Sequence, residues 1–415
     1  MRVLYVVQRY GDRIVGGSEA ACRAFAEQLV RHGHSVEVLT SCAHNYTDWA
    51  DEYTPGVEWI NGVVVNRLPV VRERDDRTFG RVHAHMMGDP PSVPYSEQLR
   101  WARLMGPELK GSRAWLSTNC TRFDVAVFMT YLYATATSGL PVVAGRIPTV
   151  LQPTAHDEPP AYVPLYQTLF RLPDSFMFFT HEEREVVRRI YGFEPVGEVT
   201  GIGIEQKSVS GDPARFRAAF GLGDHPYLLY VGRLDPSKGV GELLRFFRAY
   251  KTRNRSDLRL VFVGDGDVPM PDDADVVKTG FVDEQVKHDA LAGSLALVQP
   301  SYFESFSIVL CESWVQGRPA LVQAGCSVLD GQARRSGGAI PYGGFAEFEA
   351  AVGMLLEQPG LADELGARGR EYVATNYTWG TVTGLVEGVL DSARSRFTDR
   401  RFVSVRGRGI NIANP

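Results

Sequence analysis

The strongest constraint in this sequence is an alternation of strand and helix signals that runs along the chain and then starts again. In the first half, the branched apolar run "VLYVV" is followed by the helical pattern "EAACRAFAEQLVRHG" and by the strand "HSVEVLT". The alternation restarts at "YLLYVG", near Pro226, and continues through "LRLVFVG", "LALVQP" and "PALVQA". Such alternation is typical of parallel, doubly wound sheets. The sequence therefore predicts an α/β protein with two doubly wound, Rossmann-like domains facing each other.

The boundary between the two halves falls in a stretch rich in glycine and polar residues, from Gly203 to Asp212. A chain of 415 residues is also too long for one ordinary core, which favours two domains. We expect an amino domain over residues 1–205, a carboxyl domain over 206–377 and a final helical segment over 378–395. Residues 396–415 would form a basic tail that is solvated or disordered, since 394–408 hold six arginines and one acid. A tail that contacts phosphate or a membrane is the alternative interpretation.

Composition excludes several classes of function. The net charge is -5 with both signs mixed, whereas a general nucleic-acid binder would carry a basic face. No apolar run approaches the ~20 residues that a membrane-spanning helix needs. The five cysteines are scattered without metal-ligand spacing, so we expect buried thiols, no disulfide framework and a reducing cytoplasm. The sequence is silent on oligomeric state.

Two cations follow the first strand of the second half, in "YVGRLDPSKGVGELL". The strand ends at Gly232, the loop carries Arg233 and Lys238, and a helix is expected from Val240. Ligands of parallel sheets lie beyond the carboxyl ends of the strands, and a helix start favours negative charge. An arginine fork and a lysine point charge at this place predict a diphosphate site. Two solvated loop cations are the alternative interpretation.

The stretch "YFESFSIVLCE" places an acid before and inside an apolar helix signal. Glu304 follows a predicted strand, and we expect the helix to begin near Ser305, so that Ser305, Phe306 and Ser307 offer free backbone N–H groups. Glu312 lies eight residues on, about 12 Å away along a helix. That separation exceeds the ~6.5–9.5 Å of an inverting glycosidase pair. It suits a ligand with hydroxyls at both ends and phosphates between, such as a sugar nucleotide.

With these motifs, the chain resembles the retaining glycosyltransferases of family four, which have the GT-B fold and an E-x7-E pair. The resemblance rests on "YVGRLDPSKG", "FVGDGD", "TGFVDEQVKHDAL", "QPSYFESFSIVLCESWVQGRPAL" and "YTWGTVTGLVEGVL", and more weakly on "GGSEAACRAFAEQLVRHGHSVEVLT" and "HDEP". It covers residues 1 to about 392. The late segment would, by resemblance, cross back to the amino domain, and the two domains would close over the donor.

The resemblance implies roles for particular residues. Arg233 and Lys238 match the cations on the diphosphate, Glu304 the acid near the donor sugar, and Glu312 the acid on the ribose. The donor-binding set is completed by the backbone of Ser305, Phe306 and Ser307, by Phe281 and Val282 beside the base, and by the glycine loop of Gly16 and Gly17. His156, followed by Asp157, matches a histidine that reaches the transferred sugar. The family often has glycine where this chain has Ser305 and Ser307, which leaves the identity of the donor sugar open.

Two patterns raise the question of a metal. Asp265 and Asp267 form a D-x-D, which follows "LRLVFVG" where the family has a glycine turn, and we interpret it as that turn. The cations already neutralise a diphosphate, so a metal is not required there. His83 and His85 lack a third ligand nearby, and we interpret the stretch from Phe79 to Leu104 as a loop that is solvated or contacts the acceptor. We therefore expect no metal and no required cofactor. Acceptor contacts are expected from Tyr10 to Gly17 and from this loop.

The function that follows is transfer of a sugar from a nucleoside-diphosphate sugar, with uridine or guanosine as base, to a hydroxyl of a small molecule or glycoconjugate. The resemblance implies retention without a covalent enzyme nucleophile. Two alternatives share the fold. A nucleotide-sugar epimerase would not release diphosphate only when an acceptor is present, and a non-catalytic binding protein would hold the donor without hydrolysis or transfer.

Overall fold

The computed structural model describes residues 1–14, 16–206 and 210–408, with the side chains of 400–408 left out of the description. The chain divides into two compact units. Unit 1 comprises Met1–Gly201 with Thr383–Pro415, and unit 2 comprises Ile202–Val382. The division lies four residues before the boundary suggested by the sequence. No helix among the described residues is both long enough and apolar enough to cross a membrane.

Unit 1 is built on an eight-stranded sheet in the order β3-β4-β2-β1-β5-β6-β7-β8, parallel except for the pairing of β3 with β4. Its strands are β1 Arg2–Val6, β2 Ser35–Ser41, β3 Gly56–Ile60, β4 Val63–Leu68, β5 Val125–Met129, β6 Thr149–Gln152, β7 Ser175–Phe178 and β8 Gly197–Val199. Its helices are α1 Gly17–Arg31, α2 Asp76–Gly88, α3 Tyr95–Met105, α4 Ser112–Asn119, α5 Ala134–Val143, α6 Leu165–Leu169 and α7 His181–Tyr191. The central strands β1, β5 and β6 are almost wholly buried, as expected for a sheet covered on both faces.

Unit 2 contains a six-stranded sheet in the order β11-β10-β9-β12-β13-β14, with every pairing parallel. Its strands are β9 Tyr227–Val231, β10 Arg259–Val263, β11 Val276–Gly280, β12 Ala296–Gln299, β13 Ala320–Gln323 and β14 Ala339–Tyr342. The helices are α8 Pro213–Ala219, α9 Val240–Arg253, α10 Glu284–Gly293, α11 Ile308–Val315, α12 Ser327–Ser336, α13 Phe345–Glu357 and α14 Pro359–Asn376. Helix α15, Trp379–Arg408, begins in unit 2 and belongs to unit 1 from Thr383. Two parallel, Rossmann-like sheets confirm the predicted α/β class.

The stretch from Phe79 to Leu104 is helical, and its interpretation as a loop was wrong. Asp75 caps α2 by accepting a hydrogen bond from the Arg77 N–H at 3.2 Å, and Phe79, Val82 and Met86 line one face against the core. His83 accepts from the Trp101 indole N–H at 3.3 Å across α2 and α3. The Asp75 cap and the spacing of the three apolar residues were the signals in the sequence.

The segment after residue 395 also differs from the expected tail. Helix α15 continues to Arg408 without a break at that position, and residues from Thr383 onward belong to unit 1. The Arg396 Nε donates to the Asp174 carbonyl oxygen at 3.0 Å, so at least one of these arginines is hydrogen-bonded to the residue that precedes β7. Residues 409–415 of the predicted tail lie outside the described residues.

Candidate active site

The loop between β9 and α9 carries Arg233 and Lys238. Asp235 shapes it by accepting hydrogen bonds from the Ser237 N–H at 2.8 Å and the Ser237 hydroxyl at 2.7 Å, which closes a single 3-10 turn over Pro236–Lys238. Gly239 then adopts φ 74, and a Cβ there would overlap the carbonyl oxygen of Pro300. Only glycine allows this approach, which packs the loop against the segment that leaves β12.

The close approach brings Lys238 to Glu304. The Lys238 Nζ lies 2.8 Å from Glu304 Oε1 and 3.3 Å from the Phe303 carbonyl oxygen. The Lys238 side chain is 30% exposed and the Glu304 side chain 14% exposed, so the ion pair is accessible to a ligand from the side of the ammonium group. Arg233 lies on the same loop with its side chain 45% exposed, and its Nε is 3.4 Å from Asp235 Oδ2. Strands β9 and β12 are neighbours in the sheet, so the two loops share one edge.

Helix α11 begins at Ile308, not near Ser305 as the sequence suggested. The reason is Ser307, whose backbone is left-handed with φ 67 and ψ 77, so the residues before it cannot continue a right-handed helix. The Ser307 hydroxyl accepts from the Gln299 side-chain amide at 3.0 Å. The Leu310 N–H bonds to the Ser307 carbonyl oxygen, which places the Ile308 and Val309 N–H groups at the helix start.

Phe306 lies in the same segment, but its side chain packs into the protein interior and does not line the candidate site. Its ring is 2% exposed and packs edge-on against Tyr377 at a centroid distance of 4.9 Å. Its carbonyl oxygen accepts a hydrogen bond from the Gln332 side-chain amide. Phe306 therefore fixes the backbone between Glu304 and α11, while Ser305 is partly exposed beside it.

Glu312, within α11, is paired with a residue that the sequence reasoning missed. Lys287 of α10 places its Nζ 2.8 Å from Glu312 Oε1 and 2.7 Å from Glu284 Oε2. Burial alone would lower the pKa of this ammonium, but the Glu312 charge and the hydrogen bonds to both carboxylates raise it above its ordinary value. The three-residue spacing of Glu284 and Lys287 in "DEQVK" was the available signal.

Glu284, His288 and Glu312 also form the group that could hold a metal ion among the described residues, with ligand atoms within 4.8 Å of one another. The Lys287 ammonium already bridges its two carboxylates. Burial lowers the pKa of His288, whose Nδ1 lies 3.3 Å from the Gln316 side-chain nitrogen. The two carboxylates, Glu284 and Glu312, are thus both ion-paired with the one ammonium group of Lys287.

Asp265 and Asp267 are not part of that group. Asp265 Oδ1 accepts from the Lys278 ammonium at 2.5 Å, and this hydrogen bond lowers the pKa of the carboxyl. Gly264 and Gly266 flank it at φ 135 and 152, and a Cβ at either would overlap a backbone carbonyl oxygen of the β9 loop. The geometry is that of a glycine turn against the neighbouring strand.

Phe281 and Val282 connect β11 to α10. Phe281 is 70% exposed, which is unusual for a large aromatic side chain, and Val282 is partly buried. Asp283 caps α10 by accepting from the Val286 N–H at 2.8 Å, and the exposed ring lies two residues before this cap. Helix α10 also carries Lys287, which joins this segment to Glu312.

In unit 1, Gly16 and Gly17 precede and begin α1. Gly16 lies against a buried ion pair in which Glu19 accepts from Arg9 Nε at 2.9 Å and from its terminal nitrogen at 2.6 Å. A Cβ on Gly16 would overlap the Glu19 carboxylate, whereas one on Gly17 would meet no heavy atom within 4 Å. The two glycines thus differ: a side chain at Gly16 would displace the Glu19 carboxylate, whereas Gly17 borders open space.

His156 follows β6 on a loop held by Glu183 of α7. The Glu183 carboxylate accepts from the Ala155 N–H at 2.9 Å and from the Phe179 N–H at 2.7 Å. Burial raises the pKa of Glu183 to about 7. His156 Nδ1 lies 3.4 Å from Glu158 Oε1. Asp157 instead pairs with Arg189, at 2.6 Å, and accepts from the Tyr162 hydroxyl.

Two family models match the chain. Residues 16–200 match a glycosyl transferase 4-like domain, and residues 225–358 match the glycosyl transferases group 1; together they span more than half of the sequence. An uncharacterized glycosyltransferase of Methanocaldococcus jannaschii is 26% identical over 360 residues, which covers 78% of this chain and 80% of the relative.

Solved structures show the same fold. Sucrose-phosphate synthase from Thermosynechococcus elongatus superposes with a TM-score of 0.69 at 18% identity, covering 93% of this chain and 97% of that one. Anabaena HepE in complex with UDP and glucose superposes with a TM-score of 0.65 at 14% identity, covering 94% and 100%. The fold and the two family matches place this chain among the GT-B glycosyltransferases of the GT4 type.

Proposed function

We propose that the protein is a retaining glycosyltransferase that moves a sugar from a nucleoside-diphosphate sugar to a hydroxyl of a small-molecule or glycoconjugate acceptor. The observation that carries this proposal is the pairing of Lys238 with Glu304 beside the start of α11, at the carboxyl ends of two neighbouring strands. A cation for phosphate and an acid for sugar hydroxyls then lie next to each other, as a sugar phosphate requires.

The diphosphate would bind to Arg233, Lys238 and the helix start. Arg233 is exposed enough to turn its fork toward a ligand, and the Ile308 and Val309 N–H groups favour negative charge. These groups would act most strongly on the departing diphosphate, because its charge grows as the bond to the sugar breaks. No metal or other cofactor is then required for leaving-group stabilisation.

The two ends of the donor would be held by acids and an aromatic ring. Glu304 would accept hydrogen bonds from the transferred sugar, and Glu312, oriented by Lys287, would accept them from the ribose. The exposed Phe281 ring offers a stacking face for a base, a contact worth about 1–3 kcal/mol in other proteins. The complex of Anabaena HepE with UDP and glucose supports uridine as one base, with guanosine as the other candidate.

In the proposed reaction, the bond between the anomeric carbon and the diphosphate oxygen breaks, and the acceptor oxygen bonds to the same face of that carbon. The acceptor proton passes to the departing diphosphate oxygen, so no enzyme nucleophile is used. His156 would orient the transferred sugar, and the open space beside Gly17 would let donor and acceptor approach.

The test is a thermal-shift panel of uridine, guanosine, thymidine and adenosine diphosphate sugars, followed by acceptor screening with the most stabilising donor. We expect one base to dominate, diphosphate release that depends on acceptor, and a product whose anomeric configuration, measured by NMR, equals that of the donor. An inverted product would contradict the retaining mechanism. An epimerised donor formed without acceptor would contradict transfer.

A further inference from the structure

The loop that carries Glu304 is closed at its base by one buried hydrogen bond. Strand β12 ends at Gln299 and α11 begins at Ile308, so the loop spans residues 300–307. The Gln299 side-chain amide donates to the Ser307 hydroxyl at 3.0 Å, which joins the residue before the loop to the last residue within it. Both side chains are buried, so water does not compete for this contact. The Glu304 carboxylate thus lies on a loop whose two ends are tied together.

Ser307 occupies a position at which a serine ordinarily bonds to its own helix. It is the N-cap residue of α11, and an N-cap serine usually has an extended backbone and accepts from the N–H of the second or third helical residue, here Val309 or Leu310. The Ser307 backbone is left-handed instead, with φ 67 and ψ 77, and its hydroxyl caps no N–H of α11, a helix that the structure describes in full. The Gln299 amide binds that hydroxyl in place of the helix.

Two conformations of Ser307 therefore compete. In the observed one, the backbone is in the left-handed region, which is unfavourable for every residue except glycine, and the Gln299 bond offsets part of that cost. In the other one, the backbone relaxes to the extended region and the hydroxyl caps α11, a local side-chain-to-backbone bond that serines readily form. The Gln299 hydrogen bond is the contact that favours the first conformation over the second.

The choice between these conformations matters for the candidate donor site. In the second conformation the Ser307 hydroxyl would occupy the Val309 N–H, one of the groups at the helix start that we assign to the diphosphate. The change in backbone at Ser307 would also shift the loop that presents the Glu304 carboxylate and the Phe303 carbonyl oxygen to the Lys238 ammonium. Both effects would weaken the binding of a diphosphate.

We propose that Gln299 is a positioning residue of the donor site: by holding the Ser307 hydroxyl it keeps the Val309 N–H available to the donor diphosphate and fixes the loop that carries Glu304. The inference rests on the proposed function and adds to it a buried residue that touches no reacting group. A glycine adopts a left-handed backbone at little cost and has no hydroxyl to cap the helix. The role of Gln299 therefore depends on the serine at this position.

Isothermal titration on the full chain tests this dependence, with uridine, guanosine, thymidine and adenosine diphosphates as probes. For the nucleotide that binds the wild-type protein most tightly, we expect Gln299→Met to weaken binding about tenfold, because one hydrogen bond to a charged group is withheld. Ser307→Gly should bind within about twofold of the wild-type protein. The double variant should recover this affinity, since glycine keeps the turn without Gln299. A loss of general packing at Gln299 would not be repaired by removing a second side chain.

Gln323→Met is the matched control. Gln323 is also a buried carboxamide at the carboxyl end of a strand, β13, which pairs with β12, but its side-chain amide donates to Glu242 at 3.2 Å. Its replacement should leave nucleotide affinity unchanged, whatever its effect on the thermal midpoint. Gln299→Asn keeps a carboxamide that is one methylene too short to reach Ser307, and it should weaken binding as Gln299→Met does. This second variant covers the case in which Gln299→Met does not fold.

Three results would overturn the proposal: wild-type affinity in the Gln299 variants, an equal loss in Gln323→Met, or a double variant that binds no better than Gln299→Met. The wild-type titration separates this inference from the proposed function. Wild-type binding that the Gln299 variants retain would reject only the positioning role. Absence of binding by all four nucleotides to the wild-type protein would reject the donor assignment, and the positioning role with it.

Discussion

The Lys238 ammonium lies 2.8 Å from the Glu304 carboxylate, although 66 positions separate the two residues in the sequence. The contact joins the loops that leave β9 and β12, and it depends on the close approach of Gly239 to Pro300. The pair balances its own charge in the absence of ligand, and an incoming sugar diphosphate offers phosphate to the lysine and hydroxyls to the acid. The candidate donor site is thus held in shape by two of its own binding groups.

Removing the ammonium should affect turnover much more than stability. For Lys238→Ala we expect kcat to fall about 10²–10³-fold, the usual loss when one charge-stabilising donor is removed from an active site. The thermal midpoint should change little, since a partly exposed ion pair contributes about 0–1 kcal/mol. Steady-state kinetics and calorimetry measure the two quantities. Lys110→Ala, at an exposed lysine of unit 1, is the control, and a folded Lys238→Ala with wild-type turnover would reject the role.

Gly239→Ala should disturb the fold of the loop itself. A left-handed backbone costs an alanine about 1–2 kcal/mol, and overlap with the Pro300 carbonyl oxygen adds to that cost. The control is Gly221→Ala, where φ is 62 but a Cβ meets no heavy atom within 4 Å. Chemical denaturation should show a larger loss for Gly239→Ala. Equal losses would mean that the backbone conformation alone, and not the close approach, requires glycine.

The unfolding free energy should depend on pH through Glu183. Burial raises its pKa from 4.5 to about 7, so the folded state binds more protons than the unfolded state between these values. This contribution to stability is therefore present below pH 4.5 and is lost as pH rises through 7, by about 3 kcal/mol. Glu183→Gln should flatten the decline measured by denaturation at successive pH values. The neighbouring Glu182→Gln should retain it, and an unchanged slope in Glu183→Gln would contradict the assignment.

Lys287 should control how the donor ribose is recognised, if Glu312 binds it. In the wild-type protein, replacing the nucleoside diphosphate by its 2′-deoxy analogue should weaken binding about tenfold. In Lys287→Met the Glu312 carboxylate loses the group that orients it, so the difference between the two nucleotides should shrink. Lys287→Arg keeps the charge and should restore part of the difference. Isothermal titration measures all six affinities, and a difference unchanged in Lys287→Met would reject the positioning role.

Local sequence patterns were sufficient for most strands and for many helices. The apolar runs of β1, β5, β9 and β12 were readable because strands buried on both faces carry nearly continuous apolar residues. Helix α7 has plain signals in the sequence, since Thr180 caps its start and Gly192, with a left-handed backbone, ends it. The stretch containing α2 is helical despite its histidines and the prolines that follow, because the Asp75 cap and the apolar spacing favour a helix.

What the sequence determined by itself was the α/β class, the division into two Rossmann-like halves and the residue types available at each strand exit, because these depend on local periodicity and on the rules of parallel sheets. The tertiary structure alone decided which side chains meet. The left-handed Ser307 delays α11, Lys287 reaches Glu312 from another helix, and Gly239 packs against Pro300 so that Lys238 meets Glu304. Each of these results depends on strand order and on packing between residues distant in the chain, which no local pattern records.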